Sequence, residues 1–235
     1  MSIEITLPAY NEEEILEKNI KILFSFLKKV NFKYNVTIAD NGSTDKTVEI
    51  AKKLSKKYPA LQLLHLNTPG KGNAIKQSWK KSKADLLCFM DADLSTDLNH
   101  LNEMVHFLKD YDLVIGNRLS SKSKTERSLS RTILSIVYNT IAKLYLGIKT
   151  HDLQCGFKGI KRKVFLALEK HTKNNNFFFD TELIAWAEKK KYKIKEIPIK
   201  WIERKASKVN ITSTSKSYLR ELGRLRNRLN RPKIS

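Results

Sequence analysis

The sequence predicts an α/β fold: a parallel sheet with helices on both faces, followed by a basic helical tail. Two observations carry this. Through the first half, short apolar runs alternate with stretches of helical apolar spacing, the strand–helix–strand rhythm of parallel sheets. Each polar motif in that half also directly follows an apolar run, at the carboxyl strand ends where such sheets place ligands.

The first element, Ile3 to Leu7, is a short apolar strand ending at Pro8. Glu12 to Lys29 has helical spacing at Ile15, Leu16, Ile20, Leu23, Phe24 and Leu27. Val36 to Ala39 is the second strand, ending in Asp40-Asn41-Gly42-Ser43; Thr44 to Lys57 is a helix with Ser43 or Thr44 as its N-cap. Leu61 to Leu66 is a strand, followed by the turn Asn67-Thr68-Pro69-Gly70, and Ala74 to Lys83 is helical. Leu86 to Met90 is an uninterrupted buried strand that ends at Asp91-Ala92-Asp93. Leu98 to Leu108 is a helix and Leu113 to Gly116 a strand. In the second half, Arg127 to Ile148 reads as a long helix with a basic start and an apolar body. Leu153 to Ile160 is a turn or strand around Gly156 and Gly159, Thr181 to Lys190 a helix, and Ile194 to Trp201 a strand broken by Pro198.

The net charge of +21 is the compositional anomaly. It points to an anionic partner or to a Lys-rich solvated surface. Residues 189–235 hold sixteen Lys or Arg against three Glu. No zinc or RNP-like signature accompanies the charge, so no nucleic-acid partner is expected. Cys88 and Cys155 lack CxxC spacing and fit a reducing compartment. The start, Met1 to Ile5, has no basic n-region or apolar h-region, so no signal peptide is expected. No apolar stretch reaches bilayer-spanning length; Ile133 to Ile148 comes nearest and is interrupted by Asn139, Thr140 and Lys143.

The chemistry-bearing segments sit at the predicted strand ends. Asp91 and Asp93 are hard oxygen donors two residues apart, suited to Mg²⁺ or Mn²⁺ with a bound diphosphate, although an Asx-turn has the same pattern. Asp40 offers an acceptor for a base NH or ribose hydroxyl, and Gly42 permits a tight turn there. Gly70-Lys71-Gly72-Asn73-Ala74 opens a helix and suits a phosphate, without being a Walker A loop. Arg118, Arg127 and Arg131 form a basic set; the four-residue spacing of the last two puts them on one helical face. The segment Glu203 to Lys208 is either a cover over a diphosphate or a charged surface loop.

Taken in order, these segments resemble family 2 glycosyltransferases. Leu7-Pro8-Ala9-Tyr10-Asn11-Glu12-Glu13, Asp40 to Asp45 and Asp91-Ala92-Asp93 are similar to that family's PAYNEE, DDGSTD and DAD motifs. Gly70 to Ile75, Gly116-Asn117-Arg118, Glu126 to Arg131, Gln154 to Lys158 and Phe179 to Leu183 resemble the branch that makes polyprenyl-phosphate sugars, the dolichyl-phosphate glucosyltransferases above all. The resemblance runs from about Ile3 to Lys208. It implies a GT-A fold, Rossmann-like and mostly parallel, as one domain over residues 1–208, with 209–235 as a basic amphipathic tail. It implies that Pro8, Tyr10, Glu12, Asp40 and Lys71 bind the donor nucleotide, with Arg204, Ser207 and Lys208 closing on it. Asp91 and Asp93 would hold the metal and the donor diphosphate, Asp93 as a catalytic residue. Arg118, Arg127, Arg131 and Ser135 would bind an acceptor phosphate, Arg118 and Arg131 acting directly in catalysis. Asn41 departs from the second acid of DDGS, and Ser95 from the Gln of the mannose branch. No C-terminal membrane helix like those of many relatives is expected in residues 209–235.

The expected reaction is inverting transfer of a hexose, glucose from UDP-glucose, to a polyprenyl monophosphate. The expected setting is the cytoplasmic face of an anionic membrane, held peripherally. Two features suit that attachment: the helix bearing Ile136, Val137, Tyr138, Ile141, Leu144 and Tyr145, and the Arg-rich tail with interleaved Tyr218, Leu219, Leu222, Leu225 and Leu229. Otherwise the helix packs on the core and the tail is solvated. Asp180 and Glu182, possible bases, are read as a helix N-cap and a first-turn acid. The rival readings are another nucleotide sugar such as GDP-mannose with a soluble or glycan acceptor, a degenerate non-catalytic relative, and a nucleic-acid-binding module.

Overall fold

A computed structural model describes residues 1–204 and 211–230, without the side chains of 211–217. The chain folds as one α/β domain around a seven-stranded sheet of order β3-β2-β1-β4-β7-β5-β8. The strands are β1 (Ser2–Ala9), β2 (Lys33–Asp40), β3 (Leu61–His65), β4 (Leu86–Met90), β5 (Leu113–Asn117), β7 (Phe157–Lys161) and β8 (Ile194–Pro198). A separate pair, β6 (Lys124–Glu126) and β9 (Lys200–Ile202), runs parallel beside it. The helices α1 (Leu16–Leu27), α2 (Thr47–Lys57), α3 (Lys71–Lys81) and α4 (His100–Phe107) fill the crossovers of the first half. In the second half follow α5 (Leu129–Leu146), α6 (Arg162–Glu169), α7 (Phe179–Lys189) and α8 (Ile211–Asn230).

The sheet is not wholly parallel. β7 pairs antiparallel with both β4 and β5. The other pairings, β1 with β2 and β4, β2 with β3, and β5 with β8, are parallel. All five residues of β4 and of β5 are buried, as expected for strands covered on both faces. The α1 stripe Leu16, Ile20, Leu23, Phe24 and Leu27 is buried in the core cluster it shares with the strand residues. Trp79 of α3 meets Phe165 edge-on at 5.0 Å between ring centroids, tying α3 to α6.

Several expectations shift at element ends. Helix α5 starts after Ser128, which is extended (ψ 140°), so Arg127 lies outside the helix and does not share a helical face with Arg131. The helix stops at Gly147, whose φ of 69° glycine adopts freely. Neither Ser43 nor Thr44 caps α2: Ser43 Oγ accepts from Asn11 N (2.9 Å), and Thr44 N donates to Asn11 Oδ1 (2.8 Å). Pro198 divides the expected last strand between two sheets, since proline has no N–H to continue a ladder. Asp180 and Glu182 both lie in the first turn of α7, as expected of Glu182, but the N-cap is Phe178 and not Asp180. Buried Asp180 pairs with buried Lys158 (2.7 Å), and buried Glu182 accepts from Arg228 Nη2 and from Asn174 N (2.7 Å).

The basic tail is part of the core. Leu222, Leu225 and Leu229 of α8 are buried, and α8 packs against α5 and α7. Those leucines are therefore not free for a membrane, while Leu219 remains 59% exposed. Residue 208, the expected domain boundary, lies outside the described residues. Among the described residues no helix is long and apolar enough to cross a membrane. Helix α5 does not pack on the core as an ordinary amphipathic helix would: of its eighteen residues only Asn139 and Ala142 are buried.

Candidate active site

A cleft of about 330 Å³ opens over the carboxyl ends of β1 and β4. β1 connects to β2 on one side, while its other neighbour is β4, so the cleft lies at the switch point where parallel sheets bind ligands. One wall comes from the end of β1 with Pro8, Ala9, Tyr10 and Glu12. Asn41 follows β2, and Lys71 begins α3.

The floor is the Asp91–Ser95 turn. Leu94 N donates to Asp91 O (3.1 Å) and Ser95 N to Asp93 Oδ1 (2.9 Å). Leu94 has a φ of 53°, a strained value for a branched residue and a common mark of functional turns. This strain has no sequence signature. Asp91 N is held by Gly156 O (3.1 Å). A Cβ on Gly156 would lie 1.8 Å from Asp91 Oδ2, so only glycine lets β7 pass this carboxylate. Burial, reinforced by the Asp91 charge, raises the Asp93 pKa above its ordinary value. Lys71 Nζ contacts Asp91 Oδ1 (2.7 Å); burial opposes the Lys71 charge, but Asp91 overrides it and the pKa rises. The pair Asp91/Asp93 thus carries two carboxylates against one ammonium, a donor set that fits a divalent cation. Among the described residues no group of three or more His, Cys, Asp or Glu could hold one, so further ligands would come from a diphosphate and water.

The opposite wall is cationic. Arg118 forks onto buried Asp152 through Nε (2.8 Å) and Nη2 (2.9 Å). Burial disfavours both charges, but the pairing prevails, lowering the Asp152 pKa and raising that of Arg118. Arg131 pairs with Glu203. Arg127 is different: it has no carboxylate partner among the described residues. Its Nη1 donates to Ser135 Oγ (2.8 Å), and its buried Nε has no partner. Burial and then the Arg118 charge lower its pKa to about 10, where it is still a cation at neutral pH. The Trp201 ring lies 5.6 Å from the Arg118 guanidinium and 5.7 Å from that of Arg127.

Most of the expected residues converge. Pro8, Tyr10, Glu12, Lys71, Asp91, Asp93, Arg118, Arg127, Arg131 and Arg204 all line the cleft. Two do not. Asp40 is fully buried beneath it, with Oδ2 turned to Gly42 N (3.2 Å) and His65 Nδ1 (2.7 Å); Asn41 lines the cleft instead. Ser135 is not among the lining residues, because its hydroxyl is spent on Arg127. Ser207 and Lys208 lie outside the described residues. Sequence reasoning missed Phe177 and Trp201, which also line the cleft, and it took Glu203 only as the start of a covering loop. Trp201 and Glu203 arrive through the β6/β9 pair, whose short strands carry no recognisable alternation. Phe177 was signalled only by the polar run Asn174-Asn175-Asn176 before it.

Residues 4–168 match the model of Glycosyl transferase family 2. The chain belongs to that family. Among relatives of this family 2 member, glycosyltransferase AglD of Haloferax volcanii is 31% identical over 218 residues. That match covers 90% of this chain and 35% of AglD, so the chain spans about a third of that protein. Dolichyl-phosphate beta-glucosyltransferase ALG5D of Trichomonas vaginalis is 30% identical, over 91% of this chain and 70% of its own length. The Drosophila melanogaster dolichyl-phosphate beta-glucosyltransferase is also 30% identical, over 89% and 69%. Among solved structures, glucosyl-3-phosphoglycerate synthase from Mycobacterium tuberculosis in complex with uridine-diphosphate superposes with a TM-score of 0.71 at 19% identity. It covers 99% of this chain and 82% of that one, and shows the shared GT-A fold.

Proposed function

We propose that this glycosyltransferase moves glucose from UDP-glucose to a polyprenyl monophosphate of the dolichyl type, with inversion. The observation that carries the reading is the make-up of one cleft: the Asp91/Asp93 carboxylate pair and, lining the same cleft, an Arg127 guanidinium with no carboxylate partner among the described residues. The floor suits a metal-bound donor diphosphate and the wall suits a second, acceptor phosphate. The names of the relatives support this, and so does the mycobacterial synthase, which has been crystallised with Mn²⁺ and UDP-glucose.

Asp91 and Asp93 would hold Mg²⁺ or Mn²⁺, which would neutralise charge on the leaving UDP. The acceptor phosphate is already anionic at neutral pH and needs no strong base. Asp180 and Glu182, the acids a base mechanism would call on, are locked in buried pairs with Lys158 and Arg228. Catalysis is then positioning and charge neutralisation. Purified protein with Mn²⁺ or Mg²⁺, a polyprenyl phosphate and a panel of UDP- and GDP-sugars tests this directly. UDP-glucose is expected to give product; transfer only to soluble glycans, or only from GDP-mannose, would replace the reading.

We further assign the protein to a peripheral position on the cytoplasmic face of a membrane, with α5 as the lipid-facing edge. Leu129 and Leu144 are 81% and 82% exposed, and Ile133, Ile136, Val137 and Ile141 are exposed between them. Such a contiguous apolar face marks an interaction surface. A bilayer suits it because α5 begins at the cleft with Arg131 and packs beside α8, whose Arg220, Arg224 and Arg226 are exposed toward anionic headgroups. The free cysteines Cys88 and Cys155, both buried, fit a reducing compartment. Ile133→Asp with Leu144→Asp is expected to cut sedimentation with anionic liposomes by about tenfold or more, since each buried aliphatic side chain contributes ~1.5–3 kcal/mol. Reaction with a short soluble prenyl phosphate should survive. Liposome binding at the level of the parent protein would rule out α5 as the contact.

A further inference from the structure

The most informative group in the cleft is an acid that the transfer reaction does not call for. Glu203 follows β9, and its backbone N donates to Glu126 O (2.9 Å), which sets it beside the start of α5. Its two carboxylate oxygens are both used there: Oε1 accepts from Arg131 Nη1 and Oε2 from Ser128 N (3.2 Å). Helix α5 has no acid in its own first turn, so its N-terminal partial charge is met by a side chain from another element. The pair is partly open to solvent, with Arg131 27% and Glu203 20% exposed. A pair only partly withdrawn from solvent is screened by water and can exchange partners.

A phosphate monoester makes the same demands as this carboxylate: a guanidinium and a backbone N–H at a helix start. Arg127, whose buried Nε has no partner among the described residues, lines the same cleft. A phosphate in reach of Arg127 and Arg131 would meet the Glu203 charge as a repulsive neighbour. We propose that Glu203 is an internal stand-in for the acceptor phosphate: it neutralises Arg131 and the α5 N-terminus in the empty cleft, and the incoming phosphate displaces it. The inference rests on the acceptor reading above. It makes Glu203 a positioning residue that sets the acceptor affinity against an internal competitor, so that lipid phosphates must outcompete it to enter.

The alternative role, a pin that simply holds α5 in place, predicts the opposite sign, so the test is a titration. Farnesyl phosphate, and separately inorganic phosphate, would be titrated calorimetrically into the full chain and into Glu203→Gln, Arg131→Ala and the double variant at low salt. Glu203→Gln is expected to bind farnesyl phosphate about 1.5-fold to fivefold more tightly, the range a partly exposed ion pair can supply. The gain should vanish in the Arg131→Ala background, because the competitor acts through that arginine. Glu203→Asp, which keeps the charge, should stay near the parent value, and Glu203→Ala should show the same sign as Gln. Equal or weaker binding by Glu203→Gln and Glu203→Ala, where the parent chain binds, overturns the stand-in and leaves the acceptor reading intact. A gain for inorganic phosphate alone would overturn it in favour of a free-phosphate site. No binding of farnesyl phosphate by the parent chain would defeat the acceptor reading itself.

Discussion

Asp93→Asn is expected to lower kcat by on the order of 10²–10³ or more, the scale seen when one preorganised charge-stabilising group is removed. The substitution keeps the shape of the side chain and its hydrogen bond from Ser95 N while removing the charge that a divalent cation would bind. It should not unfold the protein. In the folded chain the Asp93 pKa is raised by burial and by Asp91. Between its unfolded and folded pKa values the folded state binds the extra proton, so stability falls as pH rises through that window. At neutral pH the ionised group is therefore a cost to the metal-free fold, and Asn relieves it. Thermal melts with and without Mn²⁺ check both halves: the variant should melt no lower than the parent, and a metal-dependent rise in Tm should be seen only in the parent. Undiminished transfer by Asp93→Asn, or by the parent in excess chelator, would remove the metal from the mechanism.

Arg127→Ala is expected to raise the KM for polyprenyl phosphate by a factor of roughly thirty to several thousand, corresponding to ~2–5 kcal/mol for a desolvated charge that holds an anion. UDP binding should move far less. This variant is a cleaner probe than Arg118→Ala. Arg118 is committed to Asp152, which is fully buried, and its removal would leave an unpaired buried carboxylate at a cost of about 3–5 kcal/mol of stability. Among the described residues Arg127 has the Ser135 hydroxyl and the Trp201 ring to lose. A normal acceptor KM in Arg127→Ala, or a defect confined to UDP binding, would move the acceptor site elsewhere in the cleft.

The first half of the fold was legible because its signals are local. Period-3.6 stripes such as Leu16, Ile20, Leu23 and Leu27, and the unbroken run Leu86 to Met90, report burial of a helix face or a whole strand directly. The carboxylate pair at a strand end, the glycine-flanked Lys71 and the basic set after β5 were legible for the same reason. The second half was read less well. The antiparallel β7 lies between two strands far from it in sequence, so nothing local states its direction. The α6 segment is too short for periodicity to separate it from its loops, and β6 and β9 are three residues each.

By itself, the sequence determined the α/β class, the family and the residue types that meet in the cleft. Those follow from periodicity, strand-end position and ordered motifs. Tertiary structure alone decided which charges are free. Arg118, Arg127 and Arg131 are chemically identical in the sequence, yet the first is tied to Asp152, the third to Glu203, and among the described residues Arg127 keeps a buried nitrogen without a partner. It likewise decided that the tail leucines are buried while α5 is not. The reason is physical: a charge is neutralised by whatever lies within a few ångströms, and those neighbours are 34 and 72 residues away along the chain.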